Sequence, residues 1–143
     1  MANGTDGNAV LIGGGKKMAM QNPYNQYKEN NIKTASPENL TLLLYNGAIK
    51  FIYQGKKFIE EKDIENAHNT ILRAQAIIQE LNITLNMDYE ISHNLRSLYT
   101  YMLDRLVDAN IGKNTEILDE VAEMVSDLRD TWKEVIKITR TRK

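Results

Sequence analysis

Cysteine is missing from this chain of 143 residues, and proline, histidine and tryptophan occur only two, two and one times. Without cysteine there is no disulfide framework, no thiolate metal site and no thiol nucleophile. Beyond Pro37 no proline interrupts the chain, so long helices are permitted throughout. A charge of one sign is lacking too, with 18 Lys plus Arg against 19 Asp plus Glu. Nothing in that total favours nucleic acid, an anionic membrane surface or a polyanionic substrate. No apolar run approaches the roughly 20 residues that cross a bilayer. The N-terminus has no charged n-region and an apolar core of only Ala9 to Ile12, so it does not read as a signal peptide. Together these absences place the chain as one soluble, cytosolic domain.

What is present falls into two zones. Five of the eight glycines (Gly4, Gly7, Gly13, Gly14, Gly15) lie before residue 18, and no sustained period appears before about Lys33. That composition reads as flexible. Met1–Lys17, ending in GGGKK before Met18, reads as a leader or expression extension and is set aside from the fold. Residues 18–35, with Pro23, Tyr24, Tyr27 and Ile32, read as a segment able to cover an apolar groove.

From Ser36 on, the patterns are helical, and a bundle spanning 36–143 is expected. Ser36 offers an N-cap and Pro37 the first helical position, where a missing N–H costs nothing. From Leu40 to Ile52 the apolar residues point all round the first helix, which implies burial on every side. Asp63 caps a second helix whose seam is Ile64, Ala67, Ile71, Ala74, Ile78, Leu81 and Leu85, alternating spacings of three and four. Asp88 is expected to cap a third helix, and Gly112 to end it in the left-handed conformation. Asn114 or Thr115 then caps a fourth. Short connections between four such helices predict an all-α, antiparallel, up-down-up-down four-helix bundle.

The chemistry is sparse. Glu65 with His68, and Glu90 with His93, have the Glu-x-x-His spacing of di-iron bundles. Each pair lies in the first turn of its helix, so antiparallel neighbours would hold them roughly 25–35 Å apart, far beyond one bimetallic centre. GGGKK lacks the strand and the Gly-Lys-Ser/Thr of a phosphate loop. The basic end (Lys133, Lys137, Arg140, Arg142, Lys143) complements a helix C-terminal dipole. No catalytic constellation emerges, and no cofactor or metal is expected. What does emerge is surplus apolar surface: Leu72, Ile77 and Ile83 lie off the second seam, and Tyr101, Leu103 and Val107 widen the third. A partner helix in a groove, or the chain's own residues before Ser36, would cover it.

Several motifs then resemble one family. Asn22-Pro23-Tyr24-x-x-Tyr27, TASPENLTLLLYNGAIKF (Thr34–Phe51), RAQAIIQELNITLN (Arg73–Asn86), NLRSLYTYMLDRLVDANI (Asn94–Ile111) and LRDTW (Leu128–Trp132) are similar, in order, to FliS, the flagellar secretion chaperones. One departure is Asp104, where relatives are often basic, which leaves Arg105 alone. The resemblance implies a cytosolic, non-enzymatic chaperone. Such a protein holds the disordered C-terminal segment of flagellin, prevents premature polymerisation and delivers its client to the type III export gate. It further implies that Tyr24 and Tyr27 contact the cytoplasmic domain of that gate, while the segment to Ile32 covers the groove until flagellin displaces it. Leu72, Ile78, Leu81, Leu98, Tyr99, Tyr101 and Met102 are the groove candidates, and Arg105 and Asn110 are expected to orient the ligand backbone. A helical adaptor for another client, and a divergent metal-dependent oxidase bundle, are the competing readings.

Overall fold

The structure is a computed structural model that describes residues 36–141. Residues 1–17, expected to be a leader or extension, and the 18–35 segment with Tyr24, Tyr27 and Ile32 lie outside those residues. The chain divides after Leu40 into two units, and the packing below concerns the second, from Thr41 on. Among the described residues there are four helices and no strand: α1 (Pro37–Glu60), α2 (Ile64–Ile83), α3 (Glu90–Gly112) and α4 (Thr115–Thr141).

Local chemistry explains most of the boundaries. Ser36 accepts the Asn39 N–H on Oγ at 3.3 Å and the Leu40 N–H on its carbonyl at 2.8 Å, so α1 starts where the cap requires. It ends in a Schellman arrangement, with Lys62 N–H bonded to Ile59 O and Asp63 N–H to Phe58 O. That places Lys62 at φ 63°, a left-handed position glycine usually fills. Asp63 then caps α2 directly, accepting Asn66 N–H at 3.3 Å and the Asn66 side-chain amide at 2.8 Å. Asn114 caps α4 by accepting the N–H groups of Glu116 and Ile117.

Two boundaries differ from the expectation. Asp88 does not cap α3; the N-cap is Tyr89, with no side-chain bond. The connection is organised by Asn86 instead. Its Oδ1 accepts Asp88 N–H, and its carbonyl accepts both Tyr89 N–H and the hydroxyl of buried Ser92. At the other end Gly112 stays helical and Lys113 takes the left-handed conformation, φ 49°. Its ammonium folds back onto Asn110 O at 2.5 Å and Asn110 Oδ1 at 2.8 Å, which offsets the strain of a side chain there.

The helix pairings can be followed from polar contacts between them. Asn110 bonds His68 O and Arg96 bonds Asn82, so fourteen residues up α2 correspond to fourteen down α3. Lys56 meets Asp119 and Arg129 meets Asn46, ten residues apart on both α1 and α4. Both pairings are antiparallel. The core between them holds Leu44, Ala48, Ile52, Ile71, Ile77, Ile78, Met102, Leu106, Leu118, Val121 and Val125. At Gly55 a Cβ would lie 3.0 Å from Ile71 Cγ1, so the missing side chain leaves room on α1 for Ile71 of α2.

The first helix is not apolar all round. Asn46, Lys50, Tyr53, Gln54 and Lys57 are exposed. Their spacing of four, three, one and three lines them along one stripe, with Leu44, Tyr45, Ala48, Ile49 and Ile52 opposite. Reading only Leu40 to Ile52 concealed the polar stripe, most of which lies further along the helix.

Candidate binding surface

Helix α3 carries the surface of interest. Its buried face is Ser92, Tyr99, Met102, Leu106, Ala109 and Asn110. On either flank of that face stand apolar side chains that the fold leaves in water. Ile91, Leu98 and Tyr101 form one flank, with Leu98 38% and Tyr101 44% exposed. Val107 and Ile111, four residues apart and so on one line, form the other; Ile111 is 80% exposed. Tyr101 and Arg105 bond Glu120, so the first flank lies toward α4. Arg96 and Asn110 bond α2, so the second lies toward α2. There it meets more apolar surface. Leu72 is exposed and, by the His68–Asn110 register, level with Leu106 and Val107; Ile83, also exposed, sits three turns further along the same face.

The nine groove candidates therefore divide. Leu72, Leu98 and Tyr101 are exposed, and Arg105 is partly so. Ile78, Leu81, Tyr99 and Met102 are buried, as is Asn110. The polar pair is already engaged within the chain. Asn110 donates to His68 O at 3.5 Å and accepts from Lys113, while Arg105 donates to Glu120 at 3.0 Å and Asp108 at 3.3 Å. Residues not singled out from the sequence also contribute: Tyr89 and Ile111 are exposed, and Glu120 organises the α3–α4 seam. Ile111 was legible only through its place at the helix end, one residue before Gly112.

The electrostatics separate interior from surface. Tyr45 and Tyr99, on α1 and α3, are buried and share a 2.6 Å hydrogen bond between their hydroxyls. Burial raises both phenols above their ordinary range, so both stay neutral. On the surface, the Tyr101 hydroxyl donates to Glu120 at 2.6 Å. That bond, and then the one from Arg105, hold the Glu120 carboxyl below the usual carboxylate range. The same bond pushes the Tyr101 phenol up.

The Glu-x-x-His pairs are exposed, and His93 lies seventeen residues, roughly 25 Å, along α3 from the Asn110 that touches His68 O. Among the described residues no group of three or more His, Cys, Asp or Glu is placed to hold a metal. No described helix is long and apolar enough to cross a membrane.

These features define a small all-α protein whose most distinctive surface is apolar, spread over its second and third helices. A solved structure described as a flagellar chaperone from bacteria has the same fold, with a TM-score of 0.68 at 18% identity over 80% of this chain and 94% of that one. The family model for the flagellar protein FliS matches residues 20–139. A flagellar secretion chaperone of Bacillus subtilis is 48% identical over 86% of this chain and 92% of its own. Its counterpart in Campylobacter jejuni is 35% identical over 81% and 94%. The chain belongs to the FliS family of flagellar secretion chaperones.

Proposed function

We propose that this chaperone binds the disordered C-terminal segment of flagellin in the cytosol, keeps it from polymerising and hands it to the flagellar export gate. The observation that carries this reading is the pair of apolar flanks on α3, with Leu72 and Ile83 of α2 beside them. A disordered segment that folds on binding must recover its ordering entropy through a large apolar contact. Exposed aliphatic and aromatic side chains at helical spacing suit the apolar face of an amphipathic helix. Because Leu98 and Tyr101 are displayed on a rigid helix, they order little on binding, and more of the contact energy is retained. The protein acts stoichiometrically, without catalysis.

In this reading residues 18–35 cover part of the apolar surface in the free chaperone, and Tyr24 and Tyr27 later contact the cytoplasmic domain of the gate. Titration calorimetry with the cognate flagellin C-terminal fragment tests it. A one-to-one complex of micromolar affinity or tighter is expected, and no heat of binding would refute the assignment. Hydrogen exchange addresses the cover: amides of residues 24–32 should lose protection when the fragment binds. A client other than flagellin, as for a general helical adaptor, would leave them protected in the same experiment.

A further inference from the structure

Helices α1 and α4 run side by side, and the outer face they share is striped by charge. Asn46 meets Arg129 of α4, so it marks the edge of α1 nearest that helix. Lys50, Tyr53 and Lys57 follow Asn46 at spacings of four, three and four, which continues one line along the same edge. All three are exposed, Tyr53 by 50%. On α4 the corresponding mark is Asp119, which meets Lys56. Glu116 lies three residues before it, and Glu123 and Asp127 lie four and eight after it, again on one line. These carboxylates are exposed, whereas Leu118, Val121, Ala122 and Val125 on the other side of α4 are buried.

Part of this charge is compensated within the chain, Asp119 by Lys56 at 3.0 Å and Asp130 by Arg129 at 3.0 Å. Lys50, Lys57, Glu116, Glu123 and Asp127 form no ion pair among the described residues. Along α4 the row Glu116, Glu120, Glu123 and Asp127 also sets like charges four, three and four residues apart, an arrangement a helix alone disfavours. Cations brought from outside relieve that repulsion, and α1 displays two of them beside an exposed aromatic ring.

We infer that the α1–α4 face is a self-complementary interface for a second copy of the chain. A two-fold axis parallel to the two helices lays α1 of each copy over α4 of the other, so that every contact forms twice. Such an axis preserves height along the helices. Counting from the Lys56–Asp119 pair in the antiparallel register, Lys57 stands level with residue 118, Tyr53 with 122 and Lys50 with 125. Lys57 then meets Glu116 of the second copy, and Lys50 falls between its Glu123 and Asp127. The Tyr53 ring lies between these two contacts and is covered by the opposing helix. The contacts are few and start from exposed groups, so the dimer is weak and salt-sensitive, with a dissociation constant on the order of 100 µM at low salt.

Sedimentation equilibrium on the full chain tests this with two charge-reversed variants, Lys50→Glu/Lys57→Glu and Glu123→Lys/Asp127→Lys. The wild type should self-associate at low salt, and each variant alone should associate at least tenfold more weakly. An equimolar mixture of the two should dimerise again, because basic α4 then faces acidic α1 in one contact and the native charges face each other in the second. Circular dichroism checks that each variant keeps its helix content. If a reversed variant loses it, the neutral pair Glu123→Gln/Asp127→Asn replaces it and should weaken association at least threefold. A wild type that stays monomeric at about 1 mM and low salt overturns the proposal, as it would if another part of the chain occupied this face. So does association that survives both charge reversals, or a mixture no more associated than its components. Flagellin titration of the same variants keeps the readings apart, since loss of self-association with client binding intact leaves the chaperone assignment untouched.

Discussion

Met102 and Leu98 lie one helical turn apart on α3, and the fold treats them oppositely: Met102 is fully buried and Leu98 is 38% exposed. The same contrast runs the length of the helix. Tyr99, Leu106 and Ala109 face the core, while Ile91, Tyr101, Val107 and Ile111, no less apolar, face water. The buried row holds the helices together through area removed from solvent. The outer rows contribute little to that, and in the function proposed above their apolar character serves a client that covers them.

The sharpest way to break the comparison is to truncate one residue from each row. Leu106→Ala and Met102→Ala should each destabilise the bundle by about 2–5 kcal/mol, because the packed core relaxes only partly around the cavity. Urea unfolding gives the number. Leu98→Asp and Val107→Asp should change stability by less than about 1 kcal/mol. Equal losses in both rows would show that the outer residues are core after all.

Next comes the buried hydroxyl pair. Tyr99→Phe leaves the Tyr45 hydroxyl without its partner in the interior and should cost about 1–3 kcal/mol, whereas Tyr45→Phe with Tyr99→Phe should be close to neutral. The pair also sets an alkaline limit. Both phenols ionise less readily folded than unfolded, so their stabilisation is complete below the ordinary tyrosine pKa and is lost as pH rises above about 10, by up to roughly 1.4 kcal/mol per pH unit for each. Melting curves between pH 9 and pH 11 should show that decline in the wild type and lose it in the double variant.

How much of this was readable beforehand varies with the kind of interaction. Capping follows from one residue and its near neighbours, so Ser36, Asp63 and Asn114 were legible. The middle of the α2 seam was legible from its spacing, with Ala67, Ile71, Ala74, Ile78 and Leu81 buried, but Ile64 at its start is exposed and Leu85 lies beyond the end of the helix. Off the seam, the pattern could not separate Leu72 from Ile77. Both are aliphatic, yet Ile77 is buried and Leu72 exposed, because only the positions of α1 and α3 decide which flank is covered. The Tyr45–Tyr99 bond joins residues 54 apart and leaves no local signature. Nor does the Asn86 connection, whose bonds depend on Ser92 reaching back six residues. For the candidate surface the sequence singled out residues of α2 and α3, and it mixed outward-facing with buried positions.

Two smaller effects refine the picture at the edges. Lys62→Gly should stabilise the protein by about 0.5–1 kcal/mol by relieving the left-handed backbone at the α1–α2 turn, measurable as a raised midpoint in urea. At acid pH the α3–α4 seam should loosen slightly. Glu120 is held below the usual carboxylate range, so its contribution is present above about pH 4.3 and fades as pH falls through the lower, folded value. The melting temperature should fall less between pH 5 and pH 3 in Glu120→Gln than in the wild type.

The outer row of α3 is where the account is most directly at risk. Calorimetric titration of the flagellin C-terminal fragment into Leu98→Asp, with its melting temperature recorded alongside, should show at least tenfold weaker binding at nearly wild-type stability. Wild-type affinity in that variant would contradict the claim that these exposed side chains are held ready for a client.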